Sequence, residues 1–115
     1  MRLLAALAMV ICAGAARADL ALLMVEAPGC VWCARWNAEI GPAYPNTAEG
    51  RRAPLRRVDL SEGWPEDLVS VAPERVTPTF ILVDGATEVA RLRGYPGADF
   101  FWPLLGEMLE KVDAR

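Results

Sequence analysis

The chain has 115 residues, 54% of them hydrophobic, with 12 basic and 15 acidic side chains, no histidine and a formal charge of −3. That length accommodates one domain and not two. The excess of acid argues against nucleic acid as a partner, and the lack of histidine removes serine–histidine hydrolase mechanisms.

Met1-Arg2 is a short positive start, Leu3 to Ala16 is apolar and uncharged, and Ala16-Arg17-Ala18 has small residues at the two positions a signal peptidase reads. This is the pattern of a cleaved secretory signal over residues 1–18, with one domain over 19–115. The apolar run is shorter than the roughly 20 residues a membrane-spanning helix needs, and an uncleaved anchor is the alternative. Ile11 precedes Cys12 where a lipid-anchored protein would have a small residue. Cleavage removes Arg2, Arg17 and Cys12 but no acid. The remainder is more acidic than the whole chain and keeps two cysteines, Cys30 and Cys33.

Leu20 to Glu26 reads as a strand apolar on both faces, with Leu20, Leu22 and Met24 on one side and Ala21, Leu23 and Val25 on the other. That is the mark of a central strand covered twice. Pro28-Gly29 turns the chain, Val31 to Ile40 reads as a helix, and Gly41-Pro42 ends it. The polar stretch 41–54 is long for a loop; it carries a short helix or serves a partner. Leu55 to Leu60 is the second strand, and Arg51, Arg52, Arg56 and Arg57 around it read as a solvated edge. Trp64 to Val71 is expected to form a short helix with Pro65 in its first turn. Val76-Thr77-Pro78-Thr79 leads into a strand from Phe80 to Val83, and Asp84-Gly85 is a hairpin signal. Thr87 to Arg93 pairs back, Gly94 breaks it, and Asp99 to Val112 forms a closing helix with Pro103 in its first turn. The order βαβαββα predicts an α/β domain, a four-stranded mixed sheet with helices on both faces.

Cys30-Val31-Trp32-Cys33 follows the central strand and opens a helix, a context in which C-x-x-C reads as a redox motif. Cys30 sits at the helix N-terminus, where free N–H groups and the helix dipole favour a thiolate below the free value of about 8.5. Cys33, Trp36 and Ile40 fall at i, i+3 and i+7, the apolar stripe of this helix. Cys30 is therefore expected to attack, and Cys33, buried, to resolve the mixed disulfide. A purely structural disulfide is a poor account, because a bridge over so short a loop constrains the unfolded chain little. Trp32, Arg35 and Glu39 fall on a wetter face, where Trp32 either grips a partner or packs on a neighbouring loop. Thr77-Pro78 alone is an ordinary trans turn; a cis bond there would set a tight turn beside the dithiol and offer the Thr77 backbone to an extended partner segment.

These residues together resemble the thioredoxin-like superfamily: Leu20 to Glu26, Pro28-Gly29-Cys30-Val31-Trp32-Cys33, Val76-Thr77-Pro78-Thr79-Phe80, Asp84-Gly85, and Gly94 before the last helix. More narrowly, Pro28 to Trp36 and Arg51 to Leu60 resemble the small periplasmic thioredoxins encoded with bacterial sulfur-oxidation (Sox) systems. The resemblance implies a thioredoxin-like fold, a redox-active Cys30–Cys33 disulfide, Pro78 as the cis-proline, and docking of substrate around Thr77, Pro78, Trp32 and Gly94. It also implies a periplasmic monomer without cofactor. Such a protein reduces a partner's cysteine adduct or disulfide, that of a Sox sulfur carrier, with electrons from a membrane dithiol transporter. Three departures stand out. Met24 occupies the place of the buried acid that thioredoxins carry six residues before the first cysteine, and Glu26 either takes over that work or merely ends the strand. Val31-Trp32 replaces Gly-Pro. The extra N-terminal strand and helix of thioredoxins are missing.

Three rival functions are open to the same residues. Two cysteines could hold copper(I), although structural zinc wants four ligands. A disulfide-forming oxidant would use the same pair at a higher potential. A non-catalytic binding module on the same fold is the third.

Overall fold

The computed structural model describes residues 18–115; the expected signal segment 1–18 lies outside them except for its last residue, Ala18. Four strands form one sheet: β1 (Leu20–Glu26), β2 (Leu55–Asp59), β3 (Thr79–Asp84) and β4 (Thr87–Arg93), in the order β2-β1-β3-β4. β1 runs parallel to β2 and antiparallel to β3, and β3 pairs antiparallel with β4. The helices are α1 (Val31–Glu39), α2 (Ala48–Arg52) and α3 (Ala98–Asp113). No helix among the described residues is long and apolar enough to cross a membrane.

The alternation in β1 sorts two cores, because successive strand side chains point to opposite faces. Leu22 and Met24 join Trp36 of α1, Phe80 and Leu82 of β3, and Phe101 and Leu105 of α3. Leu23 and Val25 join Val58, Ile81, Leu68 and Val71 on the other face. The 41–54 stretch is helical in part, with a three-ten turn at Tyr44–Asn46 followed by α2. It is fastened rather than loose: the buried Tyr44 hydroxyl donates to the Ala53 carbonyl at 2.6 Å, and its ring stacks near Trp102. Burial pushes the Tyr44 phenol well above its ordinary range.

The expected helix at Trp64–Val71 does not form as such. One three-ten turn, Glu66–Leu68, takes its place, with Pro65 before it in extended geometry (φ −60°, ψ 136°), and another, Leu60–Glu62, precedes it. The Leu68 carbonyl accepts from the Trp64 indole at 3.0 Å and from the Val71 amide at 3.0 Å, so the bond that would continue an α-helix is replaced. The second face of the sheet is thus covered by three-ten turns, while α1 and α3 both lie on the first. Pro103 is the sixth residue of α3, past its first turn. The backbone bond it forfeits falls on Asp99, and both residues are exposed, so water can solvate the orphaned carbonyl. β2 ends at Asp59, one residue short of expectation.

Candidate active site

The sheet gathers three segments at one end. β1 finishes at Glu26, and the chain turns through positive-φ Gly29 into Cys30. Val25 pairs with Thr79, and Thr79 pairs with Arg93, so Thr77-Pro78 and Gly94 emerge at that same end. The Thr77–Pro78 bond is cis. Gly94 has φ +86°, a region that favours glycine, and its N–H donates to the Pro78 carbonyl at 2.7 Å. Val76 is fixed as well, its carbonyl accepting from the Thr79 hydroxyl at 2.7 Å. Among the described residues, no hydrogen bond engages the Thr77 backbone.

Cys30 and Cys33 form a disulfide with their Cα atoms 5.2 Å apart. Cys30 is the N-cap of α1, and its Sγ accepts from the Cys33 N–H at 3.1 Å. Upon reduction that N–H and the helix dipole face the Cys30 sulfur, and both favour negative charge on it. Cys33 is buried on the core side with Trp36 and Ile40, as the helical spacing predicts. Beneath it Trp36 is fully buried, with ring centroids 5.3 Å from Phe80, 5.8 Å from Phe101 and 6.0 Å from Tyr44.

Val31 and Trp32 are exposed beside the disulfide, Trp32 at 52%. The Arg35 guanidinium lies 5.4 Å from the Trp32 ring centroid, within cation–π range. Trp32 and Arg35 wall a shallow recess whose other side is Tyr95-Pro96-Gly97. Sequence reasoning missed Tyr95, whose hydroxyl donates to Glu39 at 2.6 Å and joins α1 to the segment after β4. That bond, with Arg35 at 2.8 Å, holds the Glu39 carboxyl below its usual range. Burial, with Glu39 next, pushes the Tyr95 phenol up to about 12.

A second recess, of about 380 Å³, opens against the disulfide and is lined by Glu26, Cys30, Cys33, Ala34 and Asn37. Asn37 Oδ1 is buried with no partner. Met24 is fully buried at the position where thioredoxins carry an acid. Arg57 donates to its sulfur at 3.6 Å and to Glu26 at 2.7 Å. The arginines around β2 are therefore not a bare basic edge: Arg52, Arg56 and Arg57 pair with Asp113, Asp67 and Glu26, and Arg51 donates to the Asn46 carbonyl. Among the described residues, no three histidine, cysteine or acidic side chains group as metal ligands would.

Outside the site itself, Glu74 was likewise not anticipated from sequence. It is buried just before the Thr77-Pro78 turn and contacts Arg91 and Arg93 of β4. Two arginines two apart on an edge strand, near a Pro-Glu, were the available signal.

No family model and no curated protein matches the chain. Solved structures do. The periplasmic thioredoxin SoxS from Paracoccus pantotrophus is 49% identical, with 82% of this chain and 99% of that one covered and a TM-score of 0.76. Thioredoxin f2 from Chlamydomonas reinhardtii is 20% identical, covering 79% of this chain and 80% of its own, with a TM-score of 0.61. Thioredoxin-2 of a malaria parasite is 23% identical, covering 78% and 84%, with a TM-score of 0.59.

Proposed function

The chain belongs to the thioredoxin family as a thiol–disulfide oxidoreductase, and on that premise we propose that it is a periplasmic reductase in which Cys30 attacks and Cys33 resolves. The observation that carries the unequal roles is the Cys33 N–H aimed at Cys30 Sγ, with Cys33 itself buried. The Cys30 thiolate attacks one sulfur of a partner disulfide and expels the other as a thiolate. Cys33 then loses its proton and attacks Cys30 Sγ. The Cys30–Cys33 disulfide forms, the second partner sulfur leaves, and two electrons have passed to the partner. That proton leaves through the recess beside Cys33, which Glu26 lines. Pairing with Arg57 fastens Glu26 there.

The partner segment lies along Thr77, whose backbone has no internal hydrogen bond, as an added strand. Gly94 fixes Pro78 behind that edge, and Trp32 supplies apolar contact next to Cys30. The signal over residues 1–18 sends the protein to the periplasm as a monomer. The relative described as a periplasmic thioredoxin, SoxS, supports that destination. The substrate in this reading is a cysteine of a Sox sulfur carrier. A membrane dithiol transporter returns the electrons.

The test is a trap. With Cys33→Ser expressed in the native periplasm, a partner is expected to stay bonded to Cys30 until a reductant releases it. Finding no reductant-sensitive adduct contradicts the exchange reading. The potential of the pair distinguishes direction: a value near about −270 mV fits a reductase, and one near about −120 mV fits an oxidant instead.

A further inference from the structure

Residues 72–78 contain two prolines, Pro73 and Pro78, and belong to neither helix nor strand. Such a segment must satisfy its backbone polar groups by other means. Here one side chain takes both of the segment's partnered amides. Glu74 Oε1 accepts from the backbone N–H groups of Arg75 at 3.0 Å and Val76 at 3.3 Å. Its Oε2 accepts from Arg91 Nη1 at 3.1 Å and Arg93 Nε at 2.6 Å. Arg91 also reaches the Ala72 carbonyl at 2.8 Å and Glu88. The carboxylate and one guanidinium therefore tie residues 72–76 to β4 from both ends.

The pair is well shielded, with the Glu74 side chain 9% and the Arg91 side chain 10% exposed. Burial alone would raise the Glu74 carboxyl, but Arg93, the two amides and Arg91 outweigh it and hold it down at about 2. Stability alone does not explain this choice. A buried ion pair is commonly no better than well-packed apolar residues of the same volume. An apolar residue at 74, however, could not accept the amides of Arg75 and Val76. Those two N–H groups lie immediately before Thr77, and the carbonyl of Val76 is already taken by Thr79. Thr77, which follows directly on these two fixed amides and precedes the Pro78 carbonyl held by Gly94, has a backbone with no partner of its own among the described residues and so stays open to another chain.

We propose that Glu74 is the positioning residue for the partner-docking edge: its carboxylate fixes Arg75 and Val76 against β4 so that the Thr77 backbone is presented in a single geometry. The inference deepens the reading that a partner segment pairs with Thr77. It assigns a role in recognition, not in the reactivity of Cys30. A small disulfide that needs no docking edge should be indifferent to it, whereas a protein disulfide should not.

The experiment compares Glu74→Gln with the natural protein in reduction of insulin and of dithiobis-nitrobenzoate, with folding checked by circular dichroism. The variant is expected to raise KM for insulin about fivefold to tenfold, the size of effect that one misplaced backbone pairing carries. Its kcat and its rate with the small disulfide should stay within about twofold. An unchanged KM in the folded variant overturns the proposal, and so does an equal fall with both disulfides, which would place the defect at Cys30. Should Glu74→Gln not fold, Arg93→Gln removes one arm of the clamp from its exposed side; a smaller KM rise confined to insulin supports the proposal, and none overturns it. If the natural protein reacts with the small disulfide but not with insulin, the docking reading fails and Glu74 has no edge to position.

Discussion

The helix that carries the dithiol and the loop that carries Thr77-Pro78 meet at one end of the sheet, but opposite forces hold them there. α1 is seated by apolar packing, with Trp36 fully buried among Phe80, Phe101 and Tyr44. The loop is seated by charge-assisted hydrogen bonds that two amides and two guanidinium groups donate to one carboxylate. Apolar packing is non-directional and draws on a large area, so it fixes a helix firmly and tolerates small shifts. Hydrogen bonds are directional and fix a few atoms closely. The reactive thiols need a steady platform; a backbone edge that must meet another backbone needs atomic placement. Each part uses the force suited to it.

The largest effect should come from the platform. Trp36→Ala removes the centre of the aromatic cluster, and a buried Trp→Ala change costs about 3–5 kcal/mol. That is a large share of a stability of roughly 5–15 kcal/mol. Urea unfolding should show it, and a loss below about 1 kcal/mol would mean that the cluster does not bear the load assigned to it.

The loop should show a smaller effect, dependent on pH. Glu74→Gln is expected to cost about 1.5–3 kcal/mol at neutral pH, the range for hydrogen bonds to a charged group. The Glu74 carboxyl sits at about 2 in the fold against an ordinary value of 4.5. The unfolded chain therefore binds that proton first as pH falls. The contribution is whole above about pH 4.5 and is lost as pH drops through about 2. Stability of the natural protein should fall more steeply across that window than that of Glu74→Gln, with the two curves converging in acid. Parallel curves would show that the carboxylate is not held as described.

This contrast also governs what was legible in the sequence. Packing writes itself as periodicity. The i, i+3, i+7 spacing of Cys33, Trp36 and Ile40 and the two-sided run of Leu20 to Val25 placed α1 and β1 correctly, and with them the disulfide. The expected helix over Trp64 to Val71, with Pro65 in its first turn, did not form, because the Trp64 indole N–H competes for the Leu68 carbonyl, a bond that no local sequence pattern registers. Pro103 misled by position, since helix α3 begins at Ala98 and leaves it in the second turn, where an exposed face tolerates it. Polar clamps write no period at all. Glu74 is one acid among 15 in the sequence, and only the pairing of Thr79 with Arg93 brings Arg93 to it. Tyr95 and Glu39, 56 residues apart, meet for the same reason.

The central claim is that one sheet end makes two chemically similar thiols unequal. The direct measurement is the pH dependence of alkylation of each cysteine in the reduced protein, read by peptide mass spectrometry after a brief exposure to iodoacetamide. Cys30 should react with a midpoint well below the free-thiol value of about 8.5, while Cys33 stays slow across the same range. Equal rates at the two sites, or a lower midpoint at Cys33, would contradict the account.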